Sequence, residues 1–388
     1  MSLNNTPKGE RLHIGIFGRR NAGKSSIINA LTNQNIAIVS DVKGTTTDPV
    51  YKAMELLPIG PVMIIDTPGI DDEGELGLQR VKASYRVLNK CDIALLVVDA
   101  HDGYTDSDRA LLEKIKEKNI PYAIAFNKCD TAQGSESGVI YCSAKENINI
   151  NLLKEEIVKI ASLEKPDKKI VGDLIKEGDV VLLVVPIDSA APKGRLILPQ
   201  QQTIRDILDS NSIAIVIKED KVKDAVEKYK PNLVVCDSQI FGKIKGDVPE
   251  SVPLTSFSIL FARYKGDLEA NLEGIRRLDN LKDGDIVLVS EGCTHHRQCG
   301  DIGTQKMPAW IRKHTNAALD FEFTNGGEFP EDLSKYALVV HCGGCMLNEK
   351  EMKYRIASSR DCSVPIVNYG MAIAHMNGIL ERSLKPLK

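Results

Sequence analysis

No apolar run in this 388-residue chain approaches the roughly 20 residues that a membrane-spanning helix needs. The opening MSLNNTPKGE also lacks the apolar core of a signal peptide, so a soluble, cytoplasmic protein with no membrane partner is expected. Charge of one sign is missing as well: 50 basic and 53 acidic residues leave a formal charge of −3, too little to draw nucleic acid or anionic lipid. Nucleic acid is therefore not an expected partner. The nine cysteines are odd in number and follow no secretory signal, which argues against a disulfide framework and for reduced thiols or metal ligands. Five of them, Cys91, Cys129, Cys142, Cys236 and Cys362, stand alone and read as small structural residues. The length is enough for two or three domains, each with its own core.

Residues 12 to 18, Leu-His-Ile-Gly-Ile-Phe-Gly, read as a buried strand, and Gly18-Arg19-Arg20-Asn21-Ala22-Gly23-Lys24-Ser25 follows it directly as GxxxxGK(S/T). An apolar helix beginning at Ser26 comes next. This is the setting a phosphate loop requires: glycines let the backbone wrap the phosphates, and amides at the helix N-terminus point at them. Lys24 reaches the β and γ oxygens, and Ser25 ligates Mg²⁺. Further elements keep the order of a GTPase. Gly44-Thr45-Thr46 places a threonine on the metal and γ-phosphate. A strand over 62–65 delivers Asp66-Thr67-Pro68-Gly69, with Asp66 behind the metal and the Gly69 amide at the γ-phosphate. Strand 93–98 leads to Asp99, and strand 122–126 leads to Asn127-Lys128-Cys129-Asp130. The Asp130 carboxylate accepts from N1–H and the 2-amino group of guanine, donors that adenine lacks, so the nucleotide is expected to be GTP. Ser143-Ala144-Lys145 completes the base pocket.

Ile70 stands where Ras-type GTPases place a glutamine that orients the attacking water, and an isoleucine cannot do so. Asn21 and the Gly-Thr-Thr segment resemble those of the tRNA-modification GTPases and their relatives. That resemblance implies a K⁺ ion, held in part by Asn21, in place of an arginine finger. Glu73 and Glu75 are the candidates for positioning water.

After a helix over 151–163, Glu164-Lys165-Pro166-Asp167-Lys168-Lys169 is charged and broken by proline, and reads as a linker. Beyond it the chain repeats itself. Lys176-Glu177-Gly178-Asp179-Val180-Val181 recurs as Lys282-Asp283-Gly284-Asp285-Ile286-Val287, and Leu233-Val234-Val235 recurs as Leu338-Val339-Val340. Asn211-Ser212-Ile213 recurs as Asn316-Ala317-Ala318, and Val252-Pro253-Leu254 as Val364-Pro365-Ile366. Each copy reads strand, helix, strand, helix, strand, then a Val-Pro strand and a helix, an alternation that argues for a small parallel α/β sheet. The expected architecture is α/β throughout: a Ras-like P-loop domain over 1–165, then two similar α/β domains over 168–268 and 269–388.

The repeat places Cys293 just past one strand of the second copy and Cys342, in His341-Cys342-Gly343-Gly344-Cys345, just past another. Both then emerge at the carboxyl edge of one parallel sheet, where such sheets put their ligands. The first copy has Asp188 and Asp237 at the matching places. Three thiolates with neighbouring His295 and His341 suit either a closed zinc site or a 4Fe-4S cluster with an exchangeable fourth position. Spacing does not choose between them. A zinc-containing regulatory GTPase acting on RNA or ribosomes is one functional reading.

The pattern Cys-x-His, a gap, then His-Cys-x-x-Cys behind this kind of GTPase resembles the HydF family, the GTPase maturation factors of FeFe-hydrogenases. The resemblance covers essentially the whole chain. It implies a 4Fe-4S cluster on Cys293, Cys342 and Cys345, a middle domain that forms a homodimer, and a scaffold role. The family's cargo is a diiron precursor received from the radical-SAM maturases HydE and HydG and delivered to the apo-hydrogenase HydA. For the fourth cluster ligand Asp188, His295, His341 and an exogenous group all stand as candidates.

Overall fold

The computed structural model describes residues 6–32, 49–71, 74–132, 134–162, 168–186, 196–292 and 301–387, and only the backbone over 74–76. The chain divides into two compact units, Met1–Pro166 and Asp167–Lys388.

The first unit is built on six strands: β1 Leu12–Phe17, β2 Val50–Leu56, β3 Gly60–Asp66, β4 Ile93–Asp99, β5 Tyr122–Asn127 and β6 Ile140–Tyr141. Their order is β2-β3-β1-β4-β5-β6, with β2 antiparallel to β3 and the remaining pairs parallel. Strands β1, β3, β4 and β5 are nearly continuous apolar runs because helices cover both faces of the sheet. Helices Lys24–Thr32 and Ile150–Ser162 bury Ile27, Ile28, Leu153 and Ile157 on one face. Helices Gly74–Leu88 and Asp106–Glu117 bury Val87, Leu88, Leu111 and Ile115 on the other. Cys91 and Cys142 are buried within these two layers, as their isolation in the sequence implies.

The second unit contains two four-stranded sheets. One is formed by β7 Val180–Val184, β8 Ile213–Ile217, β9 Leu233–Cys236 and β10 Leu254–Ser256. The other is formed by β11 Ile286–Ser290, β12 Asp320–Thr324, β13 Leu338–His341 and β14 Ile366–Asn368. Every pairing is parallel, and both sheets have the same order, β10-β9-β7-β8 and β14-β13-β11-β12. The repeat extends to single turns. Gly178 and Gly284 take φ of 82° and 83°, Asn211 and Asn316 both take 55°, and Asp179 and Asp285 each accept from the amide three residues before them. Ser256 and Asn368 cap the helices that follow the last strands, Phe257–Lys265 and Tyr369–Met376.

Among the described residues, two differences in helix content separate the copies. The helix expected between the second and third strands of each copy is present in the first, as Val222–Tyr229, but absent from the second. There, residues 325–337 run through turns, because Asn325-Gly326-Gly327 and Pro330 oppose helix propagation. Conversely, the residues added after Cys345 build the long helix Glu349–Asp361, where the first copy has only Phe241–Ile244.

One apolar core joins the two sheets, running from Leu182 and Val234 through Met371 and Ile373 to Val287 and Val340. The capped helices of the two copies meet at equivalent positions: a Cβ on Gly370 would stand 2.2 Å from Cβ of Ser258. Asn368 Nδ2 also donates to the Ser258 carbonyl at 3.3 Å. Gly370→Val is expected to force these helices apart and lower stability by about 1–3 kcal/mol, as overpacking does. Urea unfolding measures it, and adding Ser258→Gly should recover part of the loss. An unchanged midpoint in Gly370→Val would contradict the packing described.

Candidate functional site

In the first unit the phosphate loop leaves β1 at Gly18, whose φ of 143° and carbonyl neighbour, Val97 O at 2.2 Å from any added Cβ, admit no side chain. Gly23 is equally constrained, with φ 91° and Asn127 Nδ2 at 2.1 Å from an added Cβ. Asn21 is exposed in the left-handed region, φ 59°, and Ala22 is buried beneath the turn. Lys24 opens the helix buried, and its ammonium donates to the carbonyls of Gly18 and Arg19 at 2.8 and 2.7 Å. That aims the charge along the inside of the loop, where phosphates bind. The Ser25 hydroxyl donates to Asp66 Oδ2 at 3.0 Å, so the two predicted magnesium partners, one from each side of the β1–β3 pair, are already in contact. Burial holds the Asp66 carboxyl above its usual range, opposed by Ser25 and by the Lys24 charge. Ser26 is half-buried in the first turn. Gly69 lies against the loop: an added Cβ would stand 3.1 Å from the Arg20 amide nitrogen.

The base-binding elements are tied to that loop by one side chain. Asn127 Nδ2 donates to the Ala22 carbonyl at 3.0 Å, and its Oδ1 accepts from the Ala144 amide at 3.0 Å. Lys128 pairs with Asp99 at the ends of β5 and β4. Asp130 is fully exposed, and the Ser143 hydroxyl holds its carboxyl below the usual range, so it stays ionised as an acceptor. Lys145 is exposed beside Glu146. Ile70, 6% exposed, packs into the core with Phe17 and Val98 and presents nothing to water. Thr45, Thr46 and Glu73 lie outside the described residues, as does the side chain of Glu75.

In the second unit the chain passes from β11 to β12 on one side and then back to β13 on the other, so the carboxyl edge between β11 and β13 is a topological switch point. Cys342 leaves β13 there. Its amide donates to the Ser290 carbonyl at 2.9 Å, and its sulfur accepts from the amides of Gly292 at 3.0 Å and Gly344 at 3.4 Å. Gly344 has φ 61°, which folds the Cys342–Cys345 segment back on itself. Enclosure pushes the Cys342 thiol up to about 11, while those two amides favour the thiolate. Burial also raises Cys345, and the Lys265 ammonium lowers it. Cys293, His295 and Asp188 lie outside the described residues.

Residues that spacing does not single out support this edge. Lys265, 4% exposed, donates to the Leu347 carbonyl at 3.0 Å and the Cys345 carbonyl at 3.4 Å. Arg355, fully buried, donates to His341 Nε2 at 3.0 Å, to Glu351 Oε1 and the Gly326 carbonyl at 2.7 Å each, and to the Ser290 hydroxyl at 3.3 Å. His341 therefore accepts at Nε2 and donates from Nδ1 to the Cys342 carbonyl at 2.6 Å. Burial, then the Arg355 charge, pulls its pKa down to about 3, so the ring is neutral. The Glu351/Arg355 spacing of four residues in a helix is the available signal, but such pairs are usually solvated.

Comparisons with known proteins match three separate stretches of the chain. The family model for the hydrogen maturase F dimerization domain matches residues 170–266, and that for the hydrogen maturase F tetramerization domain matches 269–386. A 50S ribosome-binding GTPase model matches residues 13–128. Among individual proteins, the tRNA modification GTPase MnmE of Dechloromonas aromatica is 36% identical over 161 residues, 39% of this chain and 35% of that protein. MnmE of Streptococcus pyogenes serotype M4 is 37% identical over 154 residues, 38% of this chain and 33% of its own length. The chain thus spans about a third of the curated relatives it matches. A crystal structure of a point variant of Aquifex aeolicus Era, bound to GDP and aluminium fluoride, covers 53% of this chain and 92% of its own, at 20% identity and a TM-score of 0.36.

Asp130→Asn is expected to weaken guanine nucleotide binding by roughly 10- to 150-fold, since a charge-assisted hydrogen bond to a base is worth about 1.5–3 kcal/mol. Titration with a fluorescent GDP analogue reads this directly. Undiminished affinity would remove Asp130 from the base pocket.

Proposed function

The chain belongs to the hydrogen maturase F family, and on that premise we propose that it holds a 4Fe-4S cluster on Cys293, Cys342 and Cys345 and carries the diiron precursor of FeFe-hydrogenase to the apo-enzyme. Its N-terminal domain is a GTPase domain that binds GTP with Mg²⁺ and hydrolyses it. The observation that carries the cluster reading is the Cys342 sulfur, which receives two backbone amides at a sheet switch point. Amides aimed at sulfur are what thiolate ligands of iron use to offset their charge. A lysine at the neighbouring carbonyls adds positive charge to an edge that three thiolates would make strongly negative. The residues present therefore fit the cluster, and when bound it supplies an iron site with one position not taken by cysteine.

That position is the one that would exchange with cargo. His341 is poorly suited to fill it, because both ring nitrogens are engaged inside the protein. The oligomer that the names of the two family domains describe supports self-association of this chain, with the homodimer formed through residues 168–268. HydE, HydG and HydA are the proposed partners, with nucleotide state biasing their docking. In the GTPase domain, exposed Asn21 is the proposed K⁺ ligand, since Ile70 is committed to the core and offers no water-orienting group.

Two measurements test this reading. After anaerobic reconstitution, the protein is expected to show the EPR signal of a reduced 4Fe-4S cluster and to activate apo-hydrogenase. Cys342→Ser and Cys345→Ser should lose both while still hydrolysing GTP. A colourless protein that binds only zinc, or unchanged spectra in those variants, would defeat the cluster assignment. Separately, GTP turnover is expected to be faster in K⁺ than in Na⁺ and to lose that difference in Asn21→Ala. Equal turnover in the two salts would end the potassium proposal.

A further inference from the structure

Away from both sites, three metal-ligating side chains converge on the second repeat. Asp279 is the C-cap of helix Leu268–Leu278, His314 lies in the last turn of helix Met307–Thr315, and His375 lies in the last turn of helix Tyr369–Met376. The two Nε2 atoms sit 2.8 and 2.7 Å from the same oxygen, Asp279 Oδ1, and the rings meet edge to face with centroids 5.3 Å apart. One ligand atom from each residue lies within 4.8 Å of the others.

The repeat provides a control for this cluster. By the same registers that align the strands, Asp279 corresponds to Asp173 and His375 to Arg263. In the first copy that junction is closed by a two-pronged ion pair, with Arg263 nitrogens 2.8 and 2.7 Å from the two Asp173 oxygens. The second copy has exchanged a permanently charged guanidinium, which cannot bind a metal, for an imidazole, and has brought a second imidazole alongside it. The carboxylate has stayed in place. Two imidazoles and a carboxylate are the donor set of open zinc sites.

The geometry and field suit a cation. Bonds of about 2.0–2.1 Å in a tetrahedron set ligand atoms roughly 3.3 Å apart, so opening each contact by about half an ångström admits the ion. Three helices end at this point, and each carboxyl end carries the equivalent of about half a negative charge. Two neighbouring cations are turned elsewhere, Arg277 onto Asp285 and Arg312 onto the Leu319 carbonyl. Asp279 and His314 are exposed and His375 half-buried, so an ion enters from solvent.

We propose that Asp279, His314 and His375 form a binding site for a divalent first-row transition-metal ion of the zinc class, distinct from the cysteine edge. An ion there clamps the ends of three helices. One of them begins at Asn368, which lines the same small cavity as His341 and Cys342.

The test uses the untagged full chain with Cys293, Cys342 and Cys345 all replaced by serine, so that thiolates do not compete, and circular dichroism verifies the fold. Zn²⁺ is titrated against a chromogenic chelator, and Co²⁺ reports geometry by its visible absorption. One ion per chain and a Zn²⁺-dependent rise in Tm are expected. His314→Gln and His375→Gln, made separately in that background, should each weaken Zn²⁺ binding by about tenfold or more. They should leave GTP hydrolysis unchanged. A folded protein that binds no Zn²⁺, or one whose binding and Tm shift survive both substitutions, would overturn the proposal.

Discussion

Parallel strands have their carboxyl ends on one edge, and both the nucleotide site and the cysteine edge depend on that constraint. A helix that returns the chain to the start of the next strand leaves each strand's exit free to carry a loop, and the loops collect together. In the GTPase domain the exits of β1, β3 and β5 bring the phosphate loop, Asp66 and Asn127 to one side of the sheet. In the second repeat the exits of β11 and β13 bring Gly292 to the sulfur of Cys342 across 50 residues of sequence. No single segment contains either site, yet the strand order allows little choice about where they form.

The duplication separates what this scaffold requires from what the chemistry adds. Both copies keep the turn glycines, the left-handed asparagines, the strand order and the cap before the last helix. At the exit of the third strand they part. In the first copy Asp237 folds back to cap its own turn at the Gln239 amide, and Cys236 is sealed in the core. In the second copy the equivalent exit projects Cys342, and helix Glu349–Asp361 brings Arg355 and Glu351 beneath it. The insertion thus serves as the floor of the edge, and its buried charges neutralise each other where either alone would be costly.

Legibility in the sequence follows how local each signal is. The phosphate loop, Asp66 and the Asn127–Asp130 segment are short motifs whose residues act within a few positions of one another, and the strands that deliver them are nearly continuous apolar runs. The repeat is readable because turn residues such as Gly178 and Gly284 are fixed by backbone conformation rather than by packing. The helix expected between β12 and β13 does not form, because strict alternation carries the first copy's pattern over Asn325-Gly326-Gly327, whose local preference opposes it. Spacing gives no sign of Lys265, and the i,i+4 pair of Glu351 and Arg355 does not reveal that Arg355 is buried. Lys265 meets its partners only where the two copies pack together, and Arg355 meets His341, Gly326 and Ser290 across turns within the second repeat.

Contacts within the second repeat likewise fix both ring nitrogens of His341. A buried guanidinium needs acceptors, and Arg355 finds a neutral imidazole, a carboxylate, a carbonyl and a hydroxyl, all within the second repeat. With Nε2 occupied by Arg355, the remaining ring proton goes to the Cys342 carbonyl and fixes the peptide from which the cysteine loop departs. The histidine so positions its neighbour. A loop held at its first peptide by such a bond keeps the Cys342 sulfur aimed at the Gly292 and Gly344 amides.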